Sequence, residues 1–423
     1  MADMATERAN PQVTGGMRDV TRTTCCVVGG GPAGAVLSLL LARKGVDVTL
    51  LEAHPDFDRE FRGDTIHPSV MEIMEQLGLV GRLLELRHTE ISSATVQTEA
   101  GPFRPLDFSR LDTKYPYITM MPQKDFLEFV TGEAKRCPKF RLVMEARVRE
   151  LVEEDGVIRG VRYEGEDGWH EVRAVLTVGA DGRGSRMRRL AGFEPIKTSP
   201  PMDVLWFKLP RKPEDPEGAM GFVGRGHIAI LLDRFDYWQA GYVIPKGTFP
   251  ELRHEGIESL RRSFAELIPE FADRLERLED WKQVSLLSVE SSRCPRWYRP
   301  GLLLIGDAAH VMSPVGGVGI NYAIQDAVVA ANVLAGPLKD SQAQLKDLDT
   351  KYLAAVQWRR ELPTRFIQTL QTQIQRRVLA SVLRSEQPLA PPGWLRLLIR
   401  VPLVRSVPAR IVGFGLWPVR VKE

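Results

Sequence analysis

Apolar and polar residues alternate along the chain in blocks that predict a mixed α/β fold. Residues 24–28 form a short run rich in β-branched side chains, residues 35–43 have helical spacing, and residues 46–52 form a second apolar run. This β–turn–α–β order within about 30 residues is typical of a parallel α/β unit.

The middle of the chain has a different pattern. Residues 142–178 contain three strand-like runs separated by glycines, too close together for intervening helices, so they predict an antiparallel meander. Residues 202–245 predict further strands and residues 256–278 a charged helix. A short apolar strand at 302–305 then leads into a glycine-rich turn and another helix, and helices dominate beyond Pro337.

Composition bounds the class of protein without identifying it. The 423 residues are enough for two or three domains, and 43% hydrophobic with 26% charged residues excludes disordered and collagen-like classes. Four cysteines, none in CxxC spacing, do not form a disulfide framework and indicate a reducing, cytoplasmic location. Residues 1–21 predict a flexible leader without the apolar core of a signal peptide, and no apolar run is long enough to predict a membrane span.

The net charge of +3 conceals a strong asymmetry. Residues 358–423 contain twelve Lys and Arg against three Glu, a net charge of +9, which leaves −6 on the remainder. Arg396, Arg400, Arg405 and Arg410 recur among apolar residues. This pattern favours a helical cap docked on the body, while peripheral membrane contact is the second interpretation. Nothing in the pattern favours nucleic acid.

The glycines after the first strand predict a dinucleotide site. Gly29, Gly31 and Gly34 have GxGxxG spacing between a strand and a helix. In such a turn the first glycine permits the bend, the second lets the backbone approach a pyrophosphate, and the third lets helix and strand pack closely. Glu52 ends the second strand, where a carboxylate accepts hydrogen bonds from an adenosine ribose. This unit alone does not separate FAD from NAD.

A second strand end carries a related arrangement. The strand at 302–305 delivers Asp307 to its carboxyl end, where open α/β sheets bind ligands and a carboxylate suits a polyol. Gly316, Gly317 and Gly319 then precede a helix that begins near Ile320. The positive N-terminus of that helix would stabilise negative charge.

These motifs together resemble a known family. Residues 24–52, 177–192 (TVGADGRGSRMRRLAG) and 302–327 are similar to the three fingerprints of the single-component, class A FAD-dependent aromatic hydroxylases, a flavoprotein monooxygenase family of the 4-hydroxybenzoate hydroxylase type. The resemblance covers residues 22–350. It implies an α/β fold: a Rossmann-like FAD-binding domain with an antiparallel meander, an interleaved mixed-sheet substrate domain and C-terminal helices.

The resemblance also implies the domain boundaries. The FAD-binding domain is expected to be discontinuous, at 22–85, 118–200 and 296–350. The substrate domain is expected at 86–117 and 201–295, and a C-terminal helical region at 351–423.

The resemblance assigns roles to individual positions. Asp181 is expected near the pyrophosphate, with links to both FAD and NAD(P)H, Asp307 on the ribityl chain and Pro314 on the reaction side of the flavin. Val318 departs from the family pattern, which usually has Gln or Lys there. The implied cofactor-binding residues are Gly29, Gly31, Pro32, Ala33, Gly34, Glu52, Arg62, Gln123, Val148, Asp181, Asp307, Pro314, Gly317, Gly319, Ile320 and Asn321.

The substrate side is less defined. The candidate bases, by residue type alone, are His67, His227, Tyr237 and Tyr242, and His227 and Tyr237 are also the candidate substrate contacts. Ile230, Leu231 and Leu232 stand where relatives that use benzoates have polar residues, which predicts a larger or less acidic aromatic substrate. His310 is predicted to pack structurally. No residue spacing indicates a metal site.

The implied activity is hydroxylation of an aromatic ring. NADPH or NADH would reduce the FAD transiently, O2 would add at flavin C4a, and the resulting hydroperoxide would attack a phenolic or apolar aromatic substrate. The expected partners are this small molecule and O2, and the expected assembly is a monomer or homodimer. Three alternatives stay open: a reductase or dehydrogenase of isoprenoid-type substrates, a flavin-dependent halogenase, and a non-catalytic FAD-bound partner subunit.

Overall fold

The computed structural model describes residues 17–58, 65–99, 101–224, 226–344, 346–384 and 406–422. Arg62, Arg396, Arg400 and Arg405, which the sequence analysis singled out, lie outside these ranges.

The strands, numbered in chain order, are β1 Met17–Val28, β2 Val48–Leu51, β3 Thr65–Ile66, β4 Thr89–Ile91, β5 Ser93–Thr98, β6 Gly101–Asp107, β7 Ile118–Met120, β8 Phe140–Val143, β9 Arg147–Glu154, β10 Val157–Gly165, β11 Gly168–Gly179, β12 Ile196–Thr198, β13 Met202–Pro210, β14 Ala219–Gly224, β15 His227–Asp233, β16 Tyr237–Pro245, β17 Ser285–Leu287, β18 Ser291–Arg293, β19 Tyr298–Arg299, β20 Leu302–Leu304 and β21 His310–Val311.

The α-helices are α1 Pro32–Arg43, α2 Pro68–Gln76, α3 Val80–Leu83, α4 Gln123–Lys135, α5 Arg186–Leu190, α6 Phe249–Glu255, α7 Ile257–Leu267, α8 Gly319–Gln344, α9 Thr350–Ile374, α10 Ala380–Arg384 and α11 Val407–Phe414. A π-helical segment, Gln375–Leu379, joins α9 to α10.

The first sheet is built around β1. Its strand order is β19-β20-β11-β1-β2-β8, and β10 and β9 continue from β11 as the antiparallel meander that the glycine spacing predicts. β1 pairs in parallel with β2 and β11, and β11 with β20, so the carboxyl ends of β1, β2, β11 and β20 meet at one edge. The predicted α/β fold with a meander is confirmed.

β1 is longer than its apolar run. It begins at Met17 and pairs with β11 from Trp169 onward, although its first residues are exposed. The expectation that residues 1–21 form a flexible leader is therefore wrong for residues 17–21, since backbone hydrogen bonds hold polar residues in a strand as readily as apolar ones. Cys25 and Cys26 lie fully buried in the same strand.

The second sheet has the order β17-β13-β16-β15-β14-β5-β6 and is mainly antiparallel. One face packs against α7, where Leu205, Leu231 and Tyr242 of the sheet meet Leu260 and Phe264 of the helix. The opposite face carries Val204, Ile228 and Val243, which pack against Val382 of α10.

The described part of the basic tail contacts α2, α8 and the residue that follows α1. In the last residues, Lys422 N–H donates to Asn332 Oδ1 (2.9 Å) and Val421 N–H to Gln76 Oε1 (2.7 Å). The Lys44 ammonium donates to the Lys422 carbonyl at 2.5 Å. Residues 406–422 therefore form part of the folded body, as a docked cap would.

Among the described residues, one helical stretch, Val315–Gln344, is long and apolar enough to cross a membrane, but 78% of its most apolar window is buried inside the protein. It contains α8, which packs against both α1 and α9. Burial on several sides explains its apolar composition.

Candidate active site

The three glycines of the first turn lie in three different environments. A Cβ on Gly29, whose φ is +103°, would lie 2.5 Å from the Ala180 carbonyl oxygen, and one on Gly34 would lie 2.0 Å from the Gly29 carbonyl oxygen. Gly31 has no neighbour within 4 Å of the same position. The turn is thus closed at Gly29 and Gly34 and open at Gly31, directly before Pro32 and Ala33 begin α1. This is the shape that a pyrophosphate on the helix N-terminus requires.

Glu52 lies at the end of β2 beside this turn. Its Oε2 accepts from the Gly30 N–H at 2.8 Å, and its Oε1 accepts from the His54 N–H at 3.1 Å. The Ala146 N–H donates to the Glu52 carbonyl at 2.8 Å, which brings Val148, at the start of β9, close to the same strand end. The two residues suit the ribose and adenine of an ADP moiety.

Asp181 follows β11 and directs its side chain away from the turn. Its carboxylate accepts from Ser185 Oγ (2.5 Å), Arg186 N–H (2.6 Å) and Met187 N–H (2.9 Å), which secures the start of α5. Burial raises the pKa of the Asp181 carboxyl above its ordinary value. Its backbone, however, lies against Gly29, where a Cβ would come 2.7 Å from Asp181 Cα. Asp181 shapes the loop, and its carboxylate oxygens are engaged there.

The Asp307 turn meets the start of α1. Gly306, at a φ of +57°, fits between Ala33 and Ala323, each 3.2 Å from where a Cβ would be. Arg188 donates to the Ala308 carbonyl at 3.0 Å and the Asp307 carbonyl at 3.3 Å. The structure therefore brings Asp307, half-buried, next to the glycine turn. Sequence reasoning missed Arg188, although it belongs to the motif at 177–192.

A buried ionic cluster supports the Asp307 turn. Asp326 Oδ2 accepts from the Gly306 N–H (3.0 Å) and lies 2.6 Å from His310 Nε2, while Oδ1 accepts from Arg360 Nε at 2.7 Å. Burial acts to raise the pKa of Asp326, but His310 and Arg360 outweigh it and hold the pKa below its usual range. The predicted structural role of His310 agrees with this placement, whereas nothing in the sequence analysis pointed to Asp326 or Arg360.

The second glycine turn begins at Pro314 and ends where α8 begins. Gly316 and Gly317 have φ angles of +80° and +63°, followed by Gly319 and Ile320 in the first turn of the helix. The buried Asn321 side chain donates to the Gly317 carbonyl at 3.2 Å and accepts from the His67 N–H at 2.9 Å. Val318 is buried against Met312 and Tyr322, so its side chain contributes to the core.

Gln123 is the first residue of α4, a helix that packs beside α1. Its half-buried side chain is thus on a helix next to the first glycine turn. Among the residues that the structure describes, no three His, Cys, Asp or Glu side chains come together as metal ligands.

The second glycine turn contacts the face of the second sheet opposite α7, which is termed the free face because part of it, at Ile230, is exposed. Val315 packs against the cluster of Val204, Ile228 and Val243 on that face. On the same face the Trp206 ring lies across Gly241, whose Cβ would come 2.7 Å from the indole. These contacts place the second glycine turn against this face, and the space beside them is the candidate reaction site.

The register of β15 and β16 decides which candidate side chains reach this space. Ile230 is 37% exposed on the free face, while its neighbour Leu231 is fully buried against α7. Tyr237 lies on the Gly241 side of β16, with Lys208 Nζ 5.1 Å from its ring centre. The prediction of an apolar wall therefore applies to Ile230 and Leu232, and Leu231 has a different role.

His227 lies on the opposite face. Its Nδ1 is 2.5 Å from Tyr242 Oη, and Tyr242 packs on Phe264 of α7. Burial lowers the pKa of His227 and raises that of Tyr242. Because successive residues of a strand point to alternate faces, His227 shares the face of Leu231. Its contact with substrate stays a prediction.

A fold with two glycine turns converging on one sheet edge, joined to a second sheet, defines a class of FAD-binding proteins. Residues 22–359 match the family model described as FAD binding domain. The chain is also 35% identical to 6-methylpretetramide 4-monooxygenase of Streptomyces rimosus over 408 residues, which are 96% of this chain and 95% of that protein. The chain belongs to this FAD-binding family and is an FAD-dependent monooxygenase of aromatic substrates.

Solved structures show the same fold. The p-nitrophenol 4-monooxygenase PnpA of Pseudomonas putida DLL-E4 superposes with a TM-score of 0.75 at 19% identity, covering 94% of this chain and all of that one. The anhydrotetracycline hydroxylase OxyS of Streptomyces rimosus has a TM-score of 0.73 at 23% identity, covering 95% of this chain and 77% of that one. The 35% identity to a monooxygenase over 96% of the chain favours the monooxygenase over the reductase, halogenase and non-catalytic alternatives.

Proposed function

We propose that this enzyme hydroxylates a fused polycyclic phenol of the size of 6-methylpretetramide. The observation that carries the proposal is the free sheet face, where the Trp206 indole lies flat across Gly241 and Ile230 is left partly uncovered. A flat aromatic wall with apolar neighbours suits a planar multi-ring substrate. The relative that this chain matches from end to end is named for such a substrate.

Each part of the chain has a task when FAD is bound. The open Gly31 position and the N-terminus of α1 would hold the pyrophosphate, Glu52 the ribose and Asp307 the ribityl chain. The amides of the second glycine turn, at the N-terminus of α8, would stabilise negative charge on the flavin ring. FAD supplies the redox and oxygen-transfer chemistry.

The substrate side contributes orientation and exclusion of water. Ile230 and Leu232 lie on the face that would meet the substrate, and Val315 of the second glycine turn packs on the Val204 cluster of the same face. Holding the ring in one orientation lowers the entropic cost of reaction, and a dry site limits unproductive loss of the reactive oxygen. NADPH or NADH would reduce the flavin, with O2 as the second substrate.

A substrate comparison tests the proposal. The holoenzyme is mixed with NADPH or NADH and air, and anhydrotetracycline, 6-methylpretetramide or 4-hydroxybenzoate is added. We expect the polycyclic compounds to raise both nicotinamide oxidation and oxygen uptake about tenfold or more over 4-hydroxybenzoate, because they cover more of the apolar wall. Faster turnover of 4-hydroxybenzoate would contradict the proposed substrate class.

We propose that the protein is cytoplasmic and that it is a monomer or a homodimer. The docking of residues 406–422 supports the cap interpretation of the basic tail, with Arg410 at the start of that segment. Membrane contact through Arg396, Arg400 and Arg405 stays a prediction. Flotation of the protein with anionic liposomes, with and without residues 388–423, tests it.

A further inference from the structure

His67 is a fully buried side chain that the proposed reaction does not yet use. It lies between β3 and α2, and its backbone N–H donates to Asn321 Oδ1. Its Nδ1 is 2.8 Å from the Val412 carbonyl oxygen of α11. The imidazole is therefore attached at one end to the helix of the C-terminal segment.

This contact determines which ring nitrogen carries the proton. A carbonyl oxygen only accepts hydrogen bonds, so Nδ1 must be the donor. Burial lowers the pKa of His67 to about 4, which keeps the ring neutral near pH 7. Nε2 then has a free lone pair, and it has no hydrogen-bond partner among the described residues.

The free nitrogen lies beside the second glycine turn. A Cβ on Gly317 would be 3.5 Å from His67 Nε2 and 2.8 Å from Thr65 Oγ1. Thr65 Oγ1 donates to the Gly317 carbonyl at 3.0 Å, so that hydroxyl hydrogen is already engaged. At this side of the turn, His67 Nε2 is an acceptor that the surrounding described residues leave unsatisfied.

Buried acceptors are rarely left without a donor, and a bound ligand can complete one. We infer that His67 Nε2 accepts a hydrogen bond from an N–H or O–H group of the ligand held at the Gly317 turn. The donor is either the imide N–H of the flavin or a phenolic hydroxyl of the substrate. The inference rests on the proposed placement of the flavin ring at this turn.

The same geometry gives α11 a role in the site. Because Val412 fixes the proton on Nδ1, the C-terminal helix keeps Nε2 available as an acceptor. Val412 also lies 3.8 Å from where a Cβ on Gly316 would be, so the helix contacts the turn directly. His67 is a ligand-binding residue, and Val412 positions it.

Two substitutions separate the ends of the imidazole. In His67→Asn the amide can reach the Nδ1 position and keep the bond to Val412, but no atom remains at the Nε2 position. In His67→Gln the amide reaches the Nε2 position and leaves Val412 without its donor. His88→Asn is the matched control, because its Nδ1 likewise donates to a backbone carbonyl, that of Leu86, at 2.7 Å.

The readouts are ligand affinity and thermal stability. FAD is titrated into the apoprotein, and anhydrotetracycline into the FAD-loaded protein, with the flavin absorbance spectrum recorded in both. We expect His67→Asn to bind one ligand about tenfold more weakly, with a Tm close to that of the native protein. We expect His67→Gln to bind both ligands with native affinity but to have a lower Tm. Weaker FAD binding assigns the flavin imide, and weaker binding of the probe alone assigns the hydroxyl.

Native affinity of His67→Asn for both ligands would overturn the inference and leave His67 as an anchor for α11. If the native holoenzyme does not respond to anhydrotetracycline, that result counts against the proposed substrate class. In that case the FAD titration by itself decides the role of His67.

Discussion

The first glycine turn and the free face of the second sheet differ in how much space they leave. At the turn, added Cβ atoms would fall 2.5 Å and 2.0 Å from backbone oxygens at Gly29 and Gly34. At the sheet face, Ile230 is 37% exposed and Trp206 rests on a glycine. Close backbone contacts fix the shape of the proposed cofactor site, while side chains of adjustable size form the proposed substrate site. Substitutions should therefore abolish function in the first region and tune it in the second.

Gly34→Ala should have the largest effect. The methyl group would overlap the Gly29 carbonyl, which cannot move without displacing the turn, so we expect a loss of about 3 kcal/mol of stability or more. The protein should be recovered without bound FAD. Flavin absorbance of the purified protein and its denaturant midpoint measure the two effects.

Gly31→Ala is the matched control because its Cβ meets no atom of the protein. The free energy of unfolding should stay within about 0.5 kcal/mol of the native value. FAD affinity should still fall about tenfold, since the methyl group occupies the approach to the pyrophosphate. If both substitutions destabilised the protein equally, the difference in clearance around the two Cβ positions would not determine stability.

Asp326→Asn should have the second-largest effect on stability. It leaves the buried Arg360 without its counter-charge and weakens the bond to the Gly306 N–H, so we expect a loss of about 3–5 kcal/mol. Asp349→Asn, at the exposed start of α9, should cost about 1 kcal/mol or less. Denaturant titration of both holoenzymes makes the comparison, and a near-native midpoint for Asp326→Asn would contradict it.

Leu231→Ala and Ile230→Ala test the two faces of one strand. Leu231 is fully buried against α7, so its truncation should cost about 2–5 kcal/mol and leave KM unchanged. Ile230→Ala should cost under about 1 kcal/mol and raise KM for the polycyclic substrate about tenfold. Thermal melts and steady-state kinetics show whether the effects separate. A stability loss without a KM change at Ile230 would place the site elsewhere.

His227→Phe should have the smallest effect on catalysis. The ring contacts Tyr242 on the face packed against α7, so kcat should stay within about twofold of native, while loss of the hydrogen bond costs about 1 kcal/mol. Steady-state rates across pH 6–9 provide the check. A change in the pH profile of the steady-state rate would indicate that His227 does contact the substrate.

The features that the sequence predicted best are those set by local chemistry. Glycine spacing between a strand and a helix predicts the first turn, because only a residue without a Cβ fits at Gly29 and Gly34. The meander followed from the short spacing of three strands. The helix predicted at 256–278 instead becomes 3₁₀-helical at Pro269–Arg277, since Pro269 lacks the N–H that would continue α7.

The features that could not be predicted from the sequence depend on contacts between residues that are far apart in the chain. His227 and Ile230 lie three residues apart in the same strand and so face opposite ways, but which face packs against α7 is decided by contacts between distant residues. Arg360 reaches Asp326 from 34 residues away, and Val412 reaches His67 from 345 residues away. No local pattern encodes such contacts, so the second side of the site could not be assembled from motifs.

The central position of β1 has a consequence for biosynthesis. β1 lies between β2 and β11, β11 needs β20, and the Lys44–Lys422 bond joins residues 378 positions apart. At ordinary translation rates, about 7–30 s pass between synthesis of β1 and synthesis of β11. During that interval the apolar strand with Cys25 and Cys26 lacks half of its neighbours. Production of active enzyme should therefore depend on chaperones that shield this first strand until the ribosome has delivered its partners.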